Sequence, residues 1–454
     1  MADVRDTVAA QLEQVRNVMV ELFEDSDQIS AMFKKNSKNI KNLSRYLYRI
    51  PLMLYRGGNF HKYSANEGPL GKGTGMKLSS LQAGFIYSIR MYRVSDEQVD
   101  LSKNTKQSVV DVLATTLAGA ATEAQCDDDI SLHGDGTGKL TNSSSAVTST
   151  TMTFNDATDK LGIARLREGM TVDVWDSTGA TKRALTTPTD GPLTIIAIDD
   201  NSKQVTFNTA VTGIVAGDLL AFPDMEEYGP SSLTTFSSGW PASNALTTQG
   251  GLTGDSWRHG IYYAHDATSS NYYLGKQKST IPQLIPTRIN GAAQPLTYAH
   301  GLLGLDKLRR RRNQDASKGM VGIFPMAQRA QLFEVGTTIL NRDVNGANPG
   351  KNPDLMFTNH DYTATFEYCG MTCWVSKRQF NDRVDFCNLK NWGRAEVFPI
   401  RPYEKGGRTV FEGRDGDGGL VAYQEFGWHT AYDFVCFDPG AEFYIDNLEV
   451  PSGY

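Results

Sequence analysis

LSRYLYRIPLMLYRGGNFHKY, SANEGPLGKGTG and MKLSSLQAGFIYSIRMYRV follow one another from Leu43 to Val94. Two strand-like runs of about 20 residues flank a tip of Gly and small polar residues. A typical strand has about 5–6 residues, and a two-stranded ribbon cannot bury its apolar side chains against itself. Such a ribbon needs other surfaces to lie on, and further copies of the same chain can supply them. Charge points the same way. From Lys34 to Arg93 twelve Lys and Arg face a single acid, Glu67, while acids gather elsewhere, as in Asp127-Asp128-Asp129. Basic and acidic patches on one chain favour contact between copies. The candidate contact residues are Arg45, Arg49, Arg56, Lys62, Lys72, Lys77, Arg90 and Arg93.

At 454 residues the chain is long enough for two or three hydrophobic cores. The net charge of −6 gives no global nucleic-acid signal. Five cysteines, Cys126, Cys369, Cys373, Cys387 and Cys436, are an odd number in a large chain, which argues against a disulfide framework and for folding with reduced thiols. The start, MADVRDTVAAQLEQ, has no basic-then-apolar signal pattern, and no apolar run approaches the ~18 residues of a membrane span.

Before the ribbon, Val8, Leu12, Val15, Met19 and Leu22 form one apolar stripe of an expected helix. After it, Ser95 to Gln98 fit a capping box. Val109, Leu113, Leu117 and Ala121 then predict a long helix ending near Gln125. From Met152 to Phe222 the runs TVDVW, LTIIAI, QVTFNTA and DLLAF are broken by turn residues, which predicts a small β-barrel or sandwich inserted as a module of its own. Residues 224–296 read poorly. TYAHGLLGLDKLRRRRNQ and MAQRAQLFEVGTTIL then predict helices around the strand MVGIFP. Strands follow near 363–367, 371–376 and 383–389, and residues 419–448 are expected to form a sheet.

This order of parts, with GDGTG after the helix and GMTVDVWDSTG, TIIAIDDNSKQVTF and AGDLLAF in the insertion, resembles the major capsid proteins of tailed bacteriophages. The resemblance covers nearly the whole chain. It implies an α+β fold of the Hong Kong 97 type. On that reading, residues 1–42 are an amino-terminal arm, 43–94 the extended loop and 95–140 the spine helix with the start of the peripheral domain. Residues 141–223 are the inserted β domain, expected on the shell exterior, and 224–296 a connecting region. Residues 297–410 are the axial domain and 411–454 a terminal strand-rich segment. It also implies self-assembly into hexamers and pentamers of an icosahedral head in the virion, built in the host cytoplasm around double-stranded DNA held by non-specific contact. Portal, cement and a separate scaffolding protein are possible partners. Arm and ribbon occupy the space before the spine helix, so neither a fused scaffold nor cleavage of this chain is expected. Lys62, Lys72 and Lys77 lie near the tip, but no signature of Lys–Asn cross-linking accompanies them.

Nothing in the sequence demands a cofactor, a metal or an enzyme. HGDGTGK lacks the spacing of a phosphate-binding loop and reads as a turn. DGDGG at 415–419 lacks the ligand ladder of a calcium loop. Cys369 and Cys373, placed on one strand, are too far apart to share a zinc. No H-E-x-x-H pair is present among the seven His. The basic run Arg309 to Arg312 suits DNA phosphate or the acids of a neighbour. Two other readings stand beside the capsid: an encapsulin-type compartment of the same fold, and a β-rich carbohydrate-binding or carbohydrate-processing protein.

Overall fold

A computed structural model describes residues 29–33, 41–44, 47–58, 75–83, 86–96, 112–154, 163–179, 181–183, 185, 193–199, 202–223, 257–312, 319–332, 365–406, 408–414 and 420–451. The expected amino-terminal helix, the ribbon tip, the first half of the long helix and DGDGG lie outside these residues. The chain divides into two compact units. One comprises Met1–Ser30, Phe85–Ile130 and Glu396–Tyr432, and the other Ala31–Gly84, Ser131–Ala395 and Asp433–Tyr454.

The long hairpin resolves into shorter pieces. Strand β1 (Lys41–Ser44) pairs antiparallel with β2 (Leu47–Tyr55), and β2 pairs with β3 (Lys77–Ala83) from Tyr48↔Ala83 to Tyr55↔Lys77. Strand β4 (Ile86–Ser95) leaves this hairpin and pairs elsewhere. The expected arms of about 20 residues are thus divided, because β4 takes its antiparallel partner from the late part of the chain and not from the opposite arm. Helix α1 (Val112–Leu132) follows, running beyond the expected end at Gln125. GDGTG is the turn it was read as. Asp135 accepts from the backbone N–H and the hydroxyl of Thr137, at 3.0 and 2.6 Å.

The inserted region is a barrel. Strands β5 (Lys139–Asn142), β6 (Thr151–Thr153), β7 (Thr171–Trp175), β8 (Leu193–Asp199), β9 (Gln204–Phe207) and β10 (Leu219–Ala221) lie in the order β5-β10-β7-β8-β9-β6. Its two edges meet: Ser143 bridges Phe154, and the Ser144 N–H donates to the Thr153 carbonyl at 2.9 Å. Closure removes both exposed edges. Met152, Val172, Val174, Ile195, Val205, Phe207 and Leu220 are buried and fill its core. The module is tied to the rest of its unit. Arg378 donates to the Ala164 carbonyl at 2.5 Å, and Arg165 to the His133 carbonyl at 2.6 Å.

The connecting region holds helix α2 (Ile261–Ala264) and the short strands β11 (Tyr272–Tyr273) and β12 (Lys276–Gln277). It leads into a mixed six-stranded sheet. This sheet contains β13 (Thr287–Asn290), β14 (Met320–Phe324), β15 (Thr365–Tyr368), β16 (Met371–Val375), β17 (Val384–Asn388) and the last strand, Phe443–Asp446. Phe324, Tyr368, Phe386 and Phe443 pack in its core, with Phe386 and Phe443 stacked at 4.3 Å. Cys369 sits in the β15–β16 turn rather than in a strand, because Cys369 and Gly370 take φ of 53° and 73°, the signature of a tight hairpin turn. Cys373 is buried in β16.

Helix α3 (Tyr298–Arg312) lies on this sheet through two glycines. A Cβ at Gly301 would sit 2.5 Å from the Tyr368 ring, and one at Gly304 would sit 2.4 Å from the Phe443 ring. Glycine therefore sets the helix–sheet distance. Gly304→Val is expected to cost about 1–3 kcal/mol through overpacking, or more where the helix must lift. Urea unfolding checks this, and an unchanged midpoint would contradict the close packing. The basic run at the end of α3 is partly engaged within the chain: Arg311 donates to the carbonyls of Pro282 and Ile285.

Strands β18 (Trp392–Pro402), β19 (Val410–Arg414) and β20 (Leu420–Cys436) form the remaining sheet. Strand β20 is central, and β4 joins it antiparallel from Tyr423↔Ser95 to Tyr432↔Ile86. The strand Phe443–Asp446 is β21.

Candidate assembly surface

A candidate surface follows from the apolar side chains left uncovered. On the hairpin, Ile50 and Leu81 pair across the strands and are buried. Further toward the tip, Met53 and Leu78 pair in the same way but are 60% and 61% exposed. Tyr55 and Met76 are exposed beside them. Cross-strand partners share a face, so these side chains form one apolar end on a ribbon too thin to cover it. Lys77 lies over the Tyr55 ring at 5.9 Å.

The other unit carries a second apolar face. Along β4 the exposed positions are Tyr87, Ile89, Met91 and Arg93, an alternation in which the outward residues are mostly apolar. The Tyr87 ring meets Phe398 at 6.0 Å, and Phe398 and Tyr403 both pack edge-on to His429. Met91 lies over Gly427, where a Cβ would be 2.5 Å from its sulfur. Contiguous exposed apolar faces mark interaction sites.

The basic candidates divide into four groups. Arg56 and Lys77 are exposed on the hairpin. Arg90 and Arg93 are engaged within the chain. Arg90 bonds Glu123 at 2.6 Å and also Asp127, fastening β4 to α1, and the Tyr92 hydroxyl donates to Glu123 at 2.8 Å. These two carboxylates hold the Arg90 charge against the cost of its burial, and burial pushes the Tyr92 hydroxyl well above its ordinary range. Arg93 bonds Glu425 at 2.9 Å and stacks on Tyr423. Arg49 is in β2 opposite Gln82. Arg45, Lys62 and Lys72 lie outside the described residues. Met53, Leu78, Ile89 and Met91 are not among the contact candidates that the charge pattern singles out. The available signal was the unbroken apolar run PLMLY in a strand with no room to bury both faces.

One group among the described residues brings metal-type donors together. His265, Cys387 and Glu442 place ligand atoms within 4.8 Å of one another, all buried. The His265 Nε2 to Glu442 Oε2 distance is 2.7 Å, a hydrogen bond. Two ligands at ~2.0–2.1 Å from one tetrahedral zinc would stand about 3.3 Å apart. The residues therefore fit a hydrogen-bonded pair better than a metal centre. No described helix is long and apolar enough to cross a membrane.

No family model matches the chain, and no curated protein matches it. Among solved structures it is similar to a chain of the cyanophage A-1(L) capsid asymmetric unit, with 12% identity and a TM-score of 0.50, covering 96% of both chains. It also matches a chain from the capsid of the native GTA particle at 6% identity and a TM-score of 0.46, covering 95% of this chain and 93% of that one. A chain of the cyanophage Pam1 capsid asymmetric unit matches at 10% identity and a TM-score of 0.41, covering 98% and 99%. From the amino-terminal hairpin to β21, this chain has the fold of the cyanophage A-1(L) capsid chain.

Proposed function

We propose that this chain is the major capsid protein of a tailed bacteriophage, a structural subunit and not an enzyme. One observation carries the reading: the likeness to the cyanophage A-1(L) capsid chain spans 96% of both chains, so one capsid-type fold accounts for nearly the whole chain. The exposed apolar hairpin end and the apolar face of β4 support it, since each needs a cover that a second copy can provide. The finer reading is a Hong Kong 97-type subunit. The hairpin is its extended loop, α1 its spine, the barrel an outward-facing insertion, and the six-stranded sheet with α3 its axial domain. Hexamers and pentamers would close through heterologous contacts into an icosahedral head enclosing double-stranded DNA in the virion. Assembly in the host cytoplasm, a separate scaffolding protein, a portal and cement proteins belong to the same reading. Exposed Arg56 and Lys77, with Arg45, Arg49, Lys62 and Lys72, would meet acids of a neighbour.

Velocity sedimentation tests the reading. The full chain, expressed alone and together with the scaffolding protein of its genome, is expected to sediment as closed particles in at least one case. Monomers in both would contradict it.

A further inference from the structure

The side chains around His265 form a buried charged network that assembly does not explain. His265 follows α2 and is fully buried. Its Nδ1 lies 2.6 Å from Asp385 Oδ1 and its Nε2 2.7 Å from Glu442 Oε2. A neutral imidazole has one N–H and one acceptor nitrogen, so it could satisfy only one of two carboxylates. The protons of this cluster can be placed from its other bonds. Arg383 grips Asp385 with Nε at 3.1 and 3.0 Å and Nη2 at 2.8 Å, and Gln379 donates to Asp385 at 2.5 Å. The Trp392 indole donates to both oxygens of Glu442, at 2.8 and 3.0 Å, and the Asn388 N–H donates to Oε1 at 3.0 Å. Carboxylates that accept several N–H bonds stay ionised. Two anions then face two cations, Arg383 and His265, and the cluster is neutral only if both nitrogens of His265 carry a proton.

We propose that His265 is a fixed imidazolium pin joining three segments, the α2 turn, β17 and the start of β21, and that its deprotonation releases them at alkaline pH. Among the described residues, the following ionisable groups face it. Asp385 and Cys387 come from β17, Arg383 from the residue before β17, Glu442 from the residue before β21, and Tyr444 from β21 with its ring 5.9 Å away. Beyond Glu442, Tyr273 and Cys436 bond each other, and both are buried hydrogen-bonding groups held uncharged. No second cation besides Arg383 faces Asp385 or Glu442 to replace His265 among the described partners of those two carboxylates. The two bonded carboxylates raise the His265 pKa above its ordinary value despite burial, and the Arg383 charge and His265 hold Asp385 well below the usual carboxylate range. The sign follows from these shifts. The stability contributed by a group with a raised folded-state pKa is complete below its ordinary value, about 6.5 for His, and is lost as pH rises through the raised value.

Nitrogen-15 spectra of the full chain labelled at histidine test the pin without any variant. Both ring nitrogens of His265 are expected to show attached protons at pH 7 and to keep them to more alkaline pH than the half-buried His300 and His429 of the same sample. A ring with one bare nitrogen at pH 7 would overturn the proposal. A second arm follows thermal unfolding against pH. In Glu442→Gln the amide can donate to a neutral imidazole, so the fall in Tm between pH 7 and pH 10 is expected to be smaller than in the wild-type chain. An equal fall in both would also overturn it.

Discussion

A chain carrying Met53→Asp and Leu78→Asp is expected to fold normally and to form no shells. Both side chains are already exposed in the single chain, so their loss removes no core packing. The two Asp face each other across the strands, and their like charge is expected to cost the ribbon no more than about 1 kcal/mol. In an assembled shell the same side chains would be covered. Each large apolar group contributes about 1.5–3 kcal/mol on full burial and about three fifths of each is left to cover, so the pair contributes roughly 2–4 kcal/mol per contact. That corresponds to a loss of at least about 30-fold in contact affinity, and two buried carboxylates would add their desolvation cost. Circular dichroism should show a melt close to that of the wild type while sedimentation shows dispersed subunits. Normal shells from the double variant would mean that this end of the hairpin faces solvent in the particle. Deleting Ser64 to Gly75, the tip of the ribbon, is expected to have the same outcome.

The largest effect on folding is expected at Asp385. Asp385→Ala removes the carboxylate that holds Arg383, His265 and Gln379 together, leaving two buried cations with one anion between them. Breaking a buried ion pair by removing one partner costs about 3–5 kcal/mol, because the remaining charge is left uncompensated in a poor solvent. A domain stable by only 5–15 kcal/mol would lose a large share of its margin. Urea unfolding of the variant should show a midpoint well below wild type. A change under about 1 kcal/mol would show that the cluster is relaxed by water or by a shift of Arg383.

Much of the architecture was legible because it rests on local periodicity. The barrel strands were found as short runs such as TVDVW and QVTF broken by turn residues; alternate residues of QVTF are buried, whereas Val172 to Trp175 are all buried. The α3 helix and β14 were found from period and length. The fate of β4 was not legible. Its alternation marks it as a strand, but nothing local says that its partner is β20, more than 300 residues later, rather than the adjacent arm. Gly301 and Gly304 looked like ordinary helix interior residues, at a cost relative to Ala, and only the rings of Tyr368 and Phe443 explain them. The His265 cluster draws residues from four separate places in the chain, so no spacing announces it. Arg90 was counted among the basic contact candidates, and a charge count alone does not show that it bonds Glu123 on α1 within its own chain.

Electron cryo-microscopy of particles formed by the full chain addresses the capsid reading most directly. A closed icosahedral shell is expected, with the hairpin of each subunit lying on an adjacent subunit and Met53 and Leu78 covered there. Particles whose hairpins project into solvent, or a chain that forms no closed shell under any assembly condition, would contradict it.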